Sequence, residues 1–417
     1  MKSRTRTISL MLTAAMLLST LTACGNTAQT TTEATTTTAA TTKAESTTAD
    51  DSGNEAASDT TTEAPKEETA PAEETGEVKT FYNPDFKIEL LGDGIKKVTD
   101  GEDRELILVP KTLSEVPSEY SESIVIRTPV DNAVFLSSTQ VCTFRAVDSE
   151  EVINAIGAVC GGADQWATVP AVAERLASGD IIDVTGDGGM GEPDYEKIQE
   201  LAPDIVFVYT GEYGQFNQIA KFEELGINYA VDNEYLESNY LARMEWMRFV
   251  LTFFNADDEI DAVMTKAQEN VDAAKAAVEN QEKVKIAVFS VYNGSVSATK
   301  DTSWLGSMIA DMNGENVFGG ISEGSVTLEA AYDLIQDADV IIYGSTPLYC
   351  NGLEGVEGAF PQITECKAYA NNRVYQYSGI FWNGIDQSDI MAGDLAAVMY
   401  PDLFADRELS YFVDIKQ

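Results

Sequence analysis

The chain has 417 residues and is strongly acidic, with 69 Asp and Glu against 27 Lys and Arg and a formal net charge of −42. This charge argues against binding to nucleic acid phosphates. The sequence contains no histidine, which excludes histidine-based acid–base catalysis, a Ser-His-Asp triad and imidazole zinc sites. The length allows two to three domains.

Residues 1–23 have the pattern of a secretory signal peptide. Three basic residues near the start precede an apolar run over residues 8–18, which is too short to span a bilayer comfortably. The segment ends in Leu21-Thr22-Ala23-Cys24, which resembles the lipobox of bacterial lipoproteins. The resemblance implies cleavage before Cys24 and acylation of its thiol. The alternative is an ordinary signal peptide with a chance cysteine.

Residues 24–78 are predicted to be a disordered tether that follows the acylated cysteine. Thr, Ala, Glu, Ser and Asp dominate this segment, and large apolar residues are almost absent. Such a composition cannot bury enough surface to offset the entropy of ordering the chain. A glycosylated stalk or a binding tail remains open as an alternative.

Strand patterns begin after residue 80, where segments 86–91, 95–98 and 105–109 favour a β-hairpin or meander. The central pattern is EPDYEKIQELAPDIVFVY, from Glu192 to Tyr209. Its first part predicts a short helix, and after an Ala-Pro-Asp break the β-branched run Ile205–Tyr209 predicts a strand buried on both faces. This is one αβ step of a parallel sheet.

The same step returns about 130 residues later, in LEAAYDLIQDADVIIYGS from Leu328 to Ser345. A chain that contains the step twice is expected to form two related α/β lobes with a cleft between them. Between the two steps, the pattern of Tyr240–Phe254 predicts a buried helix. Ala256–Gln281 predicts a long polar helix of about 39 Å that joins the lobes.

The predicted fold is therefore α/β, with two Rossmann-like lobes that have parallel central sheets and are joined by one long α-helix. The predicted first lobe covers residues 79–255, the connecting helix residues 256–282 and the second lobe residues 283–417. Disulfides Cys142–Cys160 or Cys350–Cys366 would be possible in an exported protein, and buried free thiols are an equally good interpretation.

Four short motifs carry a resemblance to a known family. They are Thr99-Asp100-Gly101 with Val109-Pro110, Gly191–Ile198 with Ala202-Pro203-Asp204, Asn372-Arg373-Val374-Tyr375, and Asp394-Leu395-Ala396 with Tyr400-Pro401-Asp402-Leu403-Phe404. Together they resemble the substrate-binding lipoproteins of ABC importers, and most closely the iron-siderophore and cobalamin binding family. The resemblance covers roughly residues 95–404 and implies the class III periplasmic-binding-protein fold. Tyr400 departs from the pattern, because a histidine often stands there.

The resemblance also implies two contacts with a permease. In the family, one glutamate on each lobe points toward an arginine pocket of the permease, and by motif position these would be Glu196 and Glu329. Two carboxylates on rigid helix starts would let the permease sense the spacing of the lobes. The alternative is that both glutamates only stabilise the first turns of their own helices.

The ligand is expected in the cleft, at the carboxyl ends of the strands of both lobes. Aromatic residues in loops or directly after strands are the candidate walls, and they are Trp166, Tyr209, Tyr213, Tyr292, Trp304, Phe381 and Trp382. Aromatic walls suit a corrinoid, a haem or an iron chelate, although each residue alone could belong to the core. Arginines are scarce near these loops, which slightly favours a neutral or weakly charged ligand. We expect no catalytic residues, no metal ligands and no cofactor of the protein's own.

These patterns predict a secreted protein that is lipid-anchored to the outer face of the bacterial cytoplasmic membrane. The family resemblance implies that it would capture a ferric siderophore, haem or cobalamin and deliver it to an ABC permease with its ATPase subunits. One alternative is a sensor or surface scavenger of the same fold that has no permease. A second alternative is a hydrolase, which requires paired carboxylates that face each other across the cleft.

Overall fold

Three β-sheets and the helices between them form the part of the chain that this structure, a computed structural model, describes. The described residues are 75–147, 149–161, 166, 169–187, 192–211, 214–321 and 324–416. The predicted signal peptide, Cys24, nearly all of the predicted tether and Tyr213 lie outside them. All described residues belong to one compact unit of the chain, Ala70–Gln417.

The first sheet is the meander that the sequence predicted. Its strands pair in sequence order, and they are antiparallel except for the last pair. They are β1 Gly76–Glu77, β2 Lys87–Gly92, β3 Ile95–Thr99, β4 Glu105–Pro110 and β5 Ile124–Thr128. One face of the sheet packs against a buried helix, where the ring of Phe86 lies 5.1 Å from Trp246 and 5.7 Å from Phe249.

The second sheet is the centre of the first lobe, and all its strand pairs are parallel. Its strand order is β10-β9-β6-β7-β8. The strands are β6 Ala133–Phe135, β7 Ile156–Val159, β8 Ile182–Asp183, β9 Ile205–Val208 and β10 Tyr229–Val231. The helices between them are α1 Ser138–Cys142, α2 Glu150–Asn154, α3 Pro170–Ser178, α4 Tyr195–Leu201 and α5 Phe216–Leu225.

The third sheet is the centre of the second lobe. A parallel middle, β13-β11-β15-β16, carries antiparallel additions β12, β14 and β17. The strands are β11 Val284–Tyr292, β12 Ser295–Ala298, β13 Gly314–Asn316, β14 Ser325–Thr327, β15 Val340–Tyr343, β16 Val374–Tyr377 and β17 Phe412–Asp414. Its helices include α8 Trp304–Asp311, α9 Leu328–Ile335, α10 Gly352–Ala359, α11 Lys367–Ala370 and α12 Ser388–Met399.

The repeated αβ step is present in both lobes, as α4–β9 and as α9–β15. The aspartate before the strand has the same task in each copy. The Oδ2 atom of Asp204 accepts a hydrogen bond from the backbone N–H of Asn132 (3.2 Å), and that of Asp339 accepts one from Lys285 (3.0 Å). Each carboxylate thus fixes the start of the neighbouring strand, so the two lobes are built alike, as predicted.

The connecting helix α7 is shorter than predicted and covers Ile260–Val278. Its 19 residues span about 28 Å instead of the expected 39 Å. The prediction was wrong at the amino end, because Asn255 has a left-handed φ of 54° and Asp257 is held by Lys96 at 2.9 Å. The helix therefore begins only at Ile260, its first buried residue. The predicted lobe boundaries on either side of it stay predictions.

Helix α6, Tyr240–Thr252, is buried at every position, as its apolar pattern predicted. It lies within the largest hydrophobic cluster, which takes in residues of the first sheet, both lobes and α7. Phe86, Phe207, Met264 and Ile342 all belong to this one cluster. The lobes therefore share a continuous interior.

The four cysteines in the described part of the chain are free thiols, so neither possible disulfide is formed there. Cys142, Cys160 and Cys366 are buried, while Cys350 is half-buried. Within the described residues, we find no helix whose length and apolar character would let it cross a membrane.

Candidate functional site: a cleft between the two lobes

Two adjoining cavities form a cleft at the carboxyl ends of both central sheets. The inner cavity has a volume of about 320 Å³ and is lined by Ser137, Ser138, Thr139, Gln140, Tyr209, Asp232, Glu234, Tyr235, Arg243, Trp304 and Trp382. The outer cavity, of about 910 Å³, lies on the second lobe. Trp304 and Trp382 line both cavities. The cleft is where open α/β sheets place their ligands.

The first-lobe wall consists of three short segments that follow neighbouring parallel strands, and the first of them includes the start of helix α1. Ser137–Gln140 follow β6, Tyr209 follows β9, and Asp232–Tyr235 follow β10. The rings of Tyr209 and Tyr235 meet edge to face at 5.8 Å. Because parallel strands end at the same edge of the sheet, these residues converge although they are far apart in sequence.

A glycine lets the two tyrosine-bearing loops approach each other. The hydroxyl of Tyr235 donates a hydrogen bond to the backbone carbonyl of Thr210. Gly211 has a left-handed φ of 96°, and a Cβ atom at this position would lie 2.3 Å from the Tyr235 oxygen. A side chain at this position would therefore separate Tyr235 from the loop that carries Tyr209.

A buried charged cluster, formed by Asp232, Glu234 and Arg243, lies on the first-lobe side of the inner cavity. The Nε atom of Arg243 donates to Glu234 Oε2 at 2.6 Å, and its guanidinium lies 4.4 Å from the ring centre of Trp304 in the second lobe. Burial raises the pKa of Asp232 well above the usual carboxyl range, and the neighbouring charge of Glu234 raises it further. The cluster thus joins the two lobes beside the ligand space.

The second-lobe wall is aromatic and rich in hydroxyl groups. The rings of Tyr377 and Phe381 stack at 3.5 Å, and Trp382 packs edge-on against both while 47% of it stays exposed. The hydroxyl-bearing residues of the outer cavity include Ser290, Ser295, Ser297, Thr299, Ser303 and Ser325. Lys300 also lines this cavity and is half-buried. No ion pair of Lys300 is found among the described residues.

The structure brings four of the seven predicted wall residues to the cleft, and these are Tyr209, Tyr292, Trp304 and Trp382. Phe381 is fully buried and lies behind Trp382 as a support. Trp166 is 0% exposed and belongs to the main hydrophobic core, so its placement on the wall was wrong. Its apolar ring is buried with the core residues, although the neighbouring glycines predicted an open loop. Tyr213 lies outside the described residues.

The sequence analysis missed the charged cluster and Tyr235. Asp232 and Tyr235 could have been found, because they directly follow the predicted strand that ends at Val231. The sequence pointed to Arg243 less clearly, since the only indication is a charged residue within a helix that is predicted to be buried. Arginines were expected to be scarce near the wall loops, and Arg243, which lines the inner cavity from helix α6, is one that this expectation did not take into account.

Direct polar contacts also hold the two lobes together. The hydroxyl of Ser138 donates to Asn383 Oδ1 at 2.8 Å, and that of Tyr240 donates to Asp311 Oδ2 at 2.9 Å. A bidentate ion pair joins Arg145 to Asp386, with side-chain exposures of 23% and 2%. The lobes are therefore fixed in one arrangement by bonds as well as by apolar packing.

Glu196 and Glu329 occupy equivalent places in the two lobes. Each lies in the first turn of its helix, α4 or α9, and each is exposed. The helix starts are capped by Asp194, which accepts from the N–H groups of Glu196 and Lys197, and by Thr327, which accepts from Ala330. Because capping is done by other residues, both glutamate side chains are left at the surface.

Among the described residues, carboxylates line the cleft on one side only. Asp232 and Glu234 belong to the first lobe, and no described residue lining the outer cavity is acidic. Within the described residues, no group of three or more Cys, Asp or Glu side chains could hold a metal ion.

Comparison with known proteins adds a family match. A sequence profile described as "Periplasmic binding protein" matches residues 146–379 of the 417. Two uncharacterized lipoproteins of Methanocaldococcus jannaschii are similar over most of their length. One is 28% identical over 355 residues, covering 82% of this chain and 82% of the relative. The other is 28% identical over 375 residues, covering 86% and 91%.

Solved structures share the fold at low sequence identity. A periplasmic heme binding protein from Pseudomonas aeruginosa superposes with a TM-score of 0.52 and 13% identity, covering 65% of this chain and 93% of that protein. Helicobacter pylori CeuE, in a nickel–histidine complex, has a TM-score of 0.53 and 15% identity, with coverages of 75% and 91%. At such identities the likeness concerns the fold alone.

Proposed function

This chain belongs to the periplasmic binding protein family, and on that basis we propose that it captures a metal chelate outside the cytoplasm and delivers it to an ABC importer. The observation that carries the proposal is the cleft, which has one wall from each lobe and lies at the carboxyl ends of both central sheets. Small-molecule sites occur preferentially in clefts where two domains meet. The ligand is carried and not chemically changed.

The walls favour a bulky ligand with an apolar ring or shell. Trp304 and Trp382 lie where the inner and outer cavities meet, and Tyr292 stands at the rim with 76% of its surface exposed. Aromatic rings gain from contact with flat or rounded apolar surfaces, as a corrinoid, a haem or a wrapped siderophore would offer. The proposed ligand class is therefore a ferric siderophore, haem or cobalamin.

The charges in the cleft favour a ligand with few anionic groups. Arg243 is already paired with Glu234, so it is not free to neutralise a ligand charge. Lys300 is the cation in the outer cavity that has no ion pair among the described residues. One accessible ammonium matches a ligand that carries a single acidic group or hydrogen-bond acceptors, and the surrounding hydroxyls can bind further oxygen atoms.

We propose that Glu196 and Glu329 contact the permease. Their equivalent positions on the two lobes, both exposed, support this assignment. Because the lobes are tied together, the distance between the two carboxylates is set by the fold, and a partner with two matching cationic pockets would recognise it. The lipid anchor at Cys24 is part of the same proposal and is supported by the lipoprotein names of the relatives.

A carboxylate-based hydrolase is not supported by this cleft. That reaction needs two carboxyl groups on opposite sides of the bond to be cleaved. Asp232 and Glu234 both follow β10, on the same side, and Glu234 is occupied by Arg243. The arrangement favours binding over catalysis.

Tryptophan fluorescence tests the proposed ligand class. The chain has four tryptophans, and Trp166 and Trp246 are fully buried while Trp304 and Trp382 line the cleft. Titration with cyanocobalamin, haemin and ferrichrome should quench the emission for at least one compound at micromolar concentration. The quenching should fall in Trp382→Phe but persist in the matched variant Trp246→Phe. If none of the compounds quenches the wild-type protein, the proposed ligand class is wrong.

A further inference from the structure

The turn between β3 and β4, Asp100–Arg104, contacts the first-lobe wall of the cleft. This turn belongs to the first sheet and lies before the segment 146–379 that the family profile matches. The backbone N–H of Gly101 donates to the carbonyl of Val231 at 2.9 Å, and the N–H of Val231 donates to Asp100 Oδ2 at 3.1 Å. The turn is thus hydrogen-bonded to Val231, the last residue of β10, directly before the wall segment that begins at Asp232.

Asn233 joins this turn to both loops of the wall that carry tyrosines. Its Nδ2 donates to the carbonyl of Gly101 (3.0 Å) and to the hydroxyl oxygen of Thr210 (2.7 Å), while its Oδ1 accepts from the N–H of Thr210 (2.8 Å). The Thr210 hydroxyl in turn donates to Glu102 Oε1 at 2.5 Å. Asn233 is itself buried, so water does not compete easily for these bonds.

The backbone of Gly101 and the side chain of Asn233 are in close contact, with no room for a side chain at position 101. A Cβ atom on Gly101 would lie 2.8 Å from both Cβ and Nδ2 of Asn233. The backbone of the turn therefore rests directly on the asparagine, and any larger residue at position 101 must push the two apart.

Thr210 and Asn233 can set the position of the cavity wall because their neighbours in the sequence line the inner cavity. Thr210 is next to Tyr209, and Asn233 stands between Asp232 and Glu234, two residues before Tyr235. All four of these neighbours line the inner cavity. The loops that carry them are otherwise joined by the bond from Tyr235 to the Thr210 carbonyl.

We infer that the β3–β4 turn positions the first-lobe wall of the cleft for its ligand, and that Asn233 is the positioning residue through which it acts. This inference rests on the proposed binding function. It gives the first sheet a task in ligand recognition although none of its residues lines the inner cavity.

The test compares three variants of the mature protein. Asn233→Ala removes the junction. Gly101→Ala changes only the turn and forces it away from Asn233. The control Ile107→Ala destabilises the same sheet in a separate small apolar cluster, formed with Ile95 and Val109, and does not touch the turn. Thermal unfolding shows that each variant is folded and how much stability it has lost.

Two measurements are made on each variant. Hydrogen–deuterium exchange reports on residues 209–211 and 232–236 without any ligand, and titration with cyanocobalamin, haemin and ferrichrome reports on binding. Asn233→Ala and Gly101→Ala should each speed exchange in both loops and weaken the binding of whichever compound the wild type binds by about tenfold, because two or three buried hydrogen bonds are lost or strained. Ile107→Ala should lower the unfolding temperature and leave both readouts as in the wild type.

The inference is overturned if Asn233→Ala and Gly101→Ala both keep the exchange rates and the affinity of the wild type. It is also overturned if Ile107→Ala weakens binding as much as these two variants do. If Asn233→Ala does not fold, Gly101→Ala decides, because it substitutes no residue of the cleft wall. If none of the compounds binds the wild-type protein, the proposed ligand class fails, and the exchange measurement alone decides whether the turn positions the wall.

Discussion

Arg145 and Asp386 form a bidentate ion pair that joins the first lobe to the second. The Nε and Nη2 atoms of Arg145 donate to the two carboxylate oxygens of Asp386, at 2.9 and 2.5 Å. Nη2 also donates to the backbone carbonyl of Asn383, in the same segment of the second lobe. Parallel bonds of this kind fix direction as well as distance, so the pair holds the lobes at one angle.

Removing Arg145 should destabilise the folded protein strongly. In Arg145→Met the Asp386 carboxylate, only 2% exposed, would remain buried without its cation. Breaking a buried pair in this way costs about 3 kcal/mol of unfolding free energy. Urea unfolding measures the loss. The control is Lys221→Met, which breaks the exposed pair with Glu224 and should change stability little. Equal losses of unfolding free energy in the two variants would show that the buried Arg145 pair stabilises the protein no more than an exposed pair does.

Asp232 should make the stability of the protein depend on pH. Burial and the charge of Glu234 raise the pKa of Asp232 above that of the unfolded chain. Above about pH 4 the folded form therefore binds a proton that the unfolded form has released, and the free energy of unfolding falls as the pH rises toward the folded-state pKa.

Asp232→Asn removes this dependence, because an amide does not ionise, and it keeps the acceptor for the N–H of Glu234. The unfolding temperature of the variant, relative to the wild type, should increase between pH 5 and pH 8. Thermal denaturation over this range checks the sign. A difference that stays constant with pH would contradict the raised pKa.

Reversing the charge of both Glu196 and Glu329 to lysine should abolish delivery to the permease without changing ligand affinity. Both side chains are exposed on the outer surface of helix starts and neither lines the cleft. Uptake into cells or vesicles that contain the importer, together with ligand titration, measures the two effects. Glu200→Lys with Asp333→Lys provides the same charge change on exposed positions of the same helices and should leave uptake intact. Normal uptake by the Glu196 and Glu329 variant would favour a sensor or scavenger.

Lys300→Gln should weaken the binding of a ligand that carries a carboxylate more than the binding of a neutral one. The ammonium lines the outer cavity, and an ion pair in a partly enclosed site contributes more than one at the surface. Affinities for haemin and cyanocobalamin, measured for wild type and variant, give the comparison. Lys283→Gln, an exposed residue just before β11, is the matched control. The same loss for both ligands would show that Lys300 acts through packing and not through charge.

The scaffold was predictable because its signals are local. The run Ile205–Val208 is β-branched and aromatic, and the Ala-Pro-Asp break before it ends helix α4 at a residue, Ala202, with a left-handed φ of 45°. The repeat of this step in α9–β15 was visible for the same reason. The errors lie at helix ends, as with Ile260, where a long-range ion pair decides the boundary.

The site was only partly predictable because its parts meet through tertiary packing. Tyr209 could be placed from its position after a strand. Trp166 follows a glycine-rich segment, yet its burial is decided by neighbours far away in sequence. Arg243 reaches the cavity from a buried helix, and the contact of the β3–β4 turn with Asn233 joins residues about 130 positions apart. Neither relationship has a periodicity or motif that a sequence would show.

The apolar cluster that runs through both lobes has a consequence for how the molecule comes apart. Phe86, Met264 and Ile342 share one interior, with α6 at its centre. If the chain were divided between the lobes, each fragment would expose its part of that interior to water. We therefore expect that neither fragment folds alone. Heating of the intact protein should give one calorimetric peak instead of two. If the cleft binds the proposed ligand, its release is therefore expected to involve loops at the rim of the cleft more than separation of the two lobes, because separation would expose this shared interior.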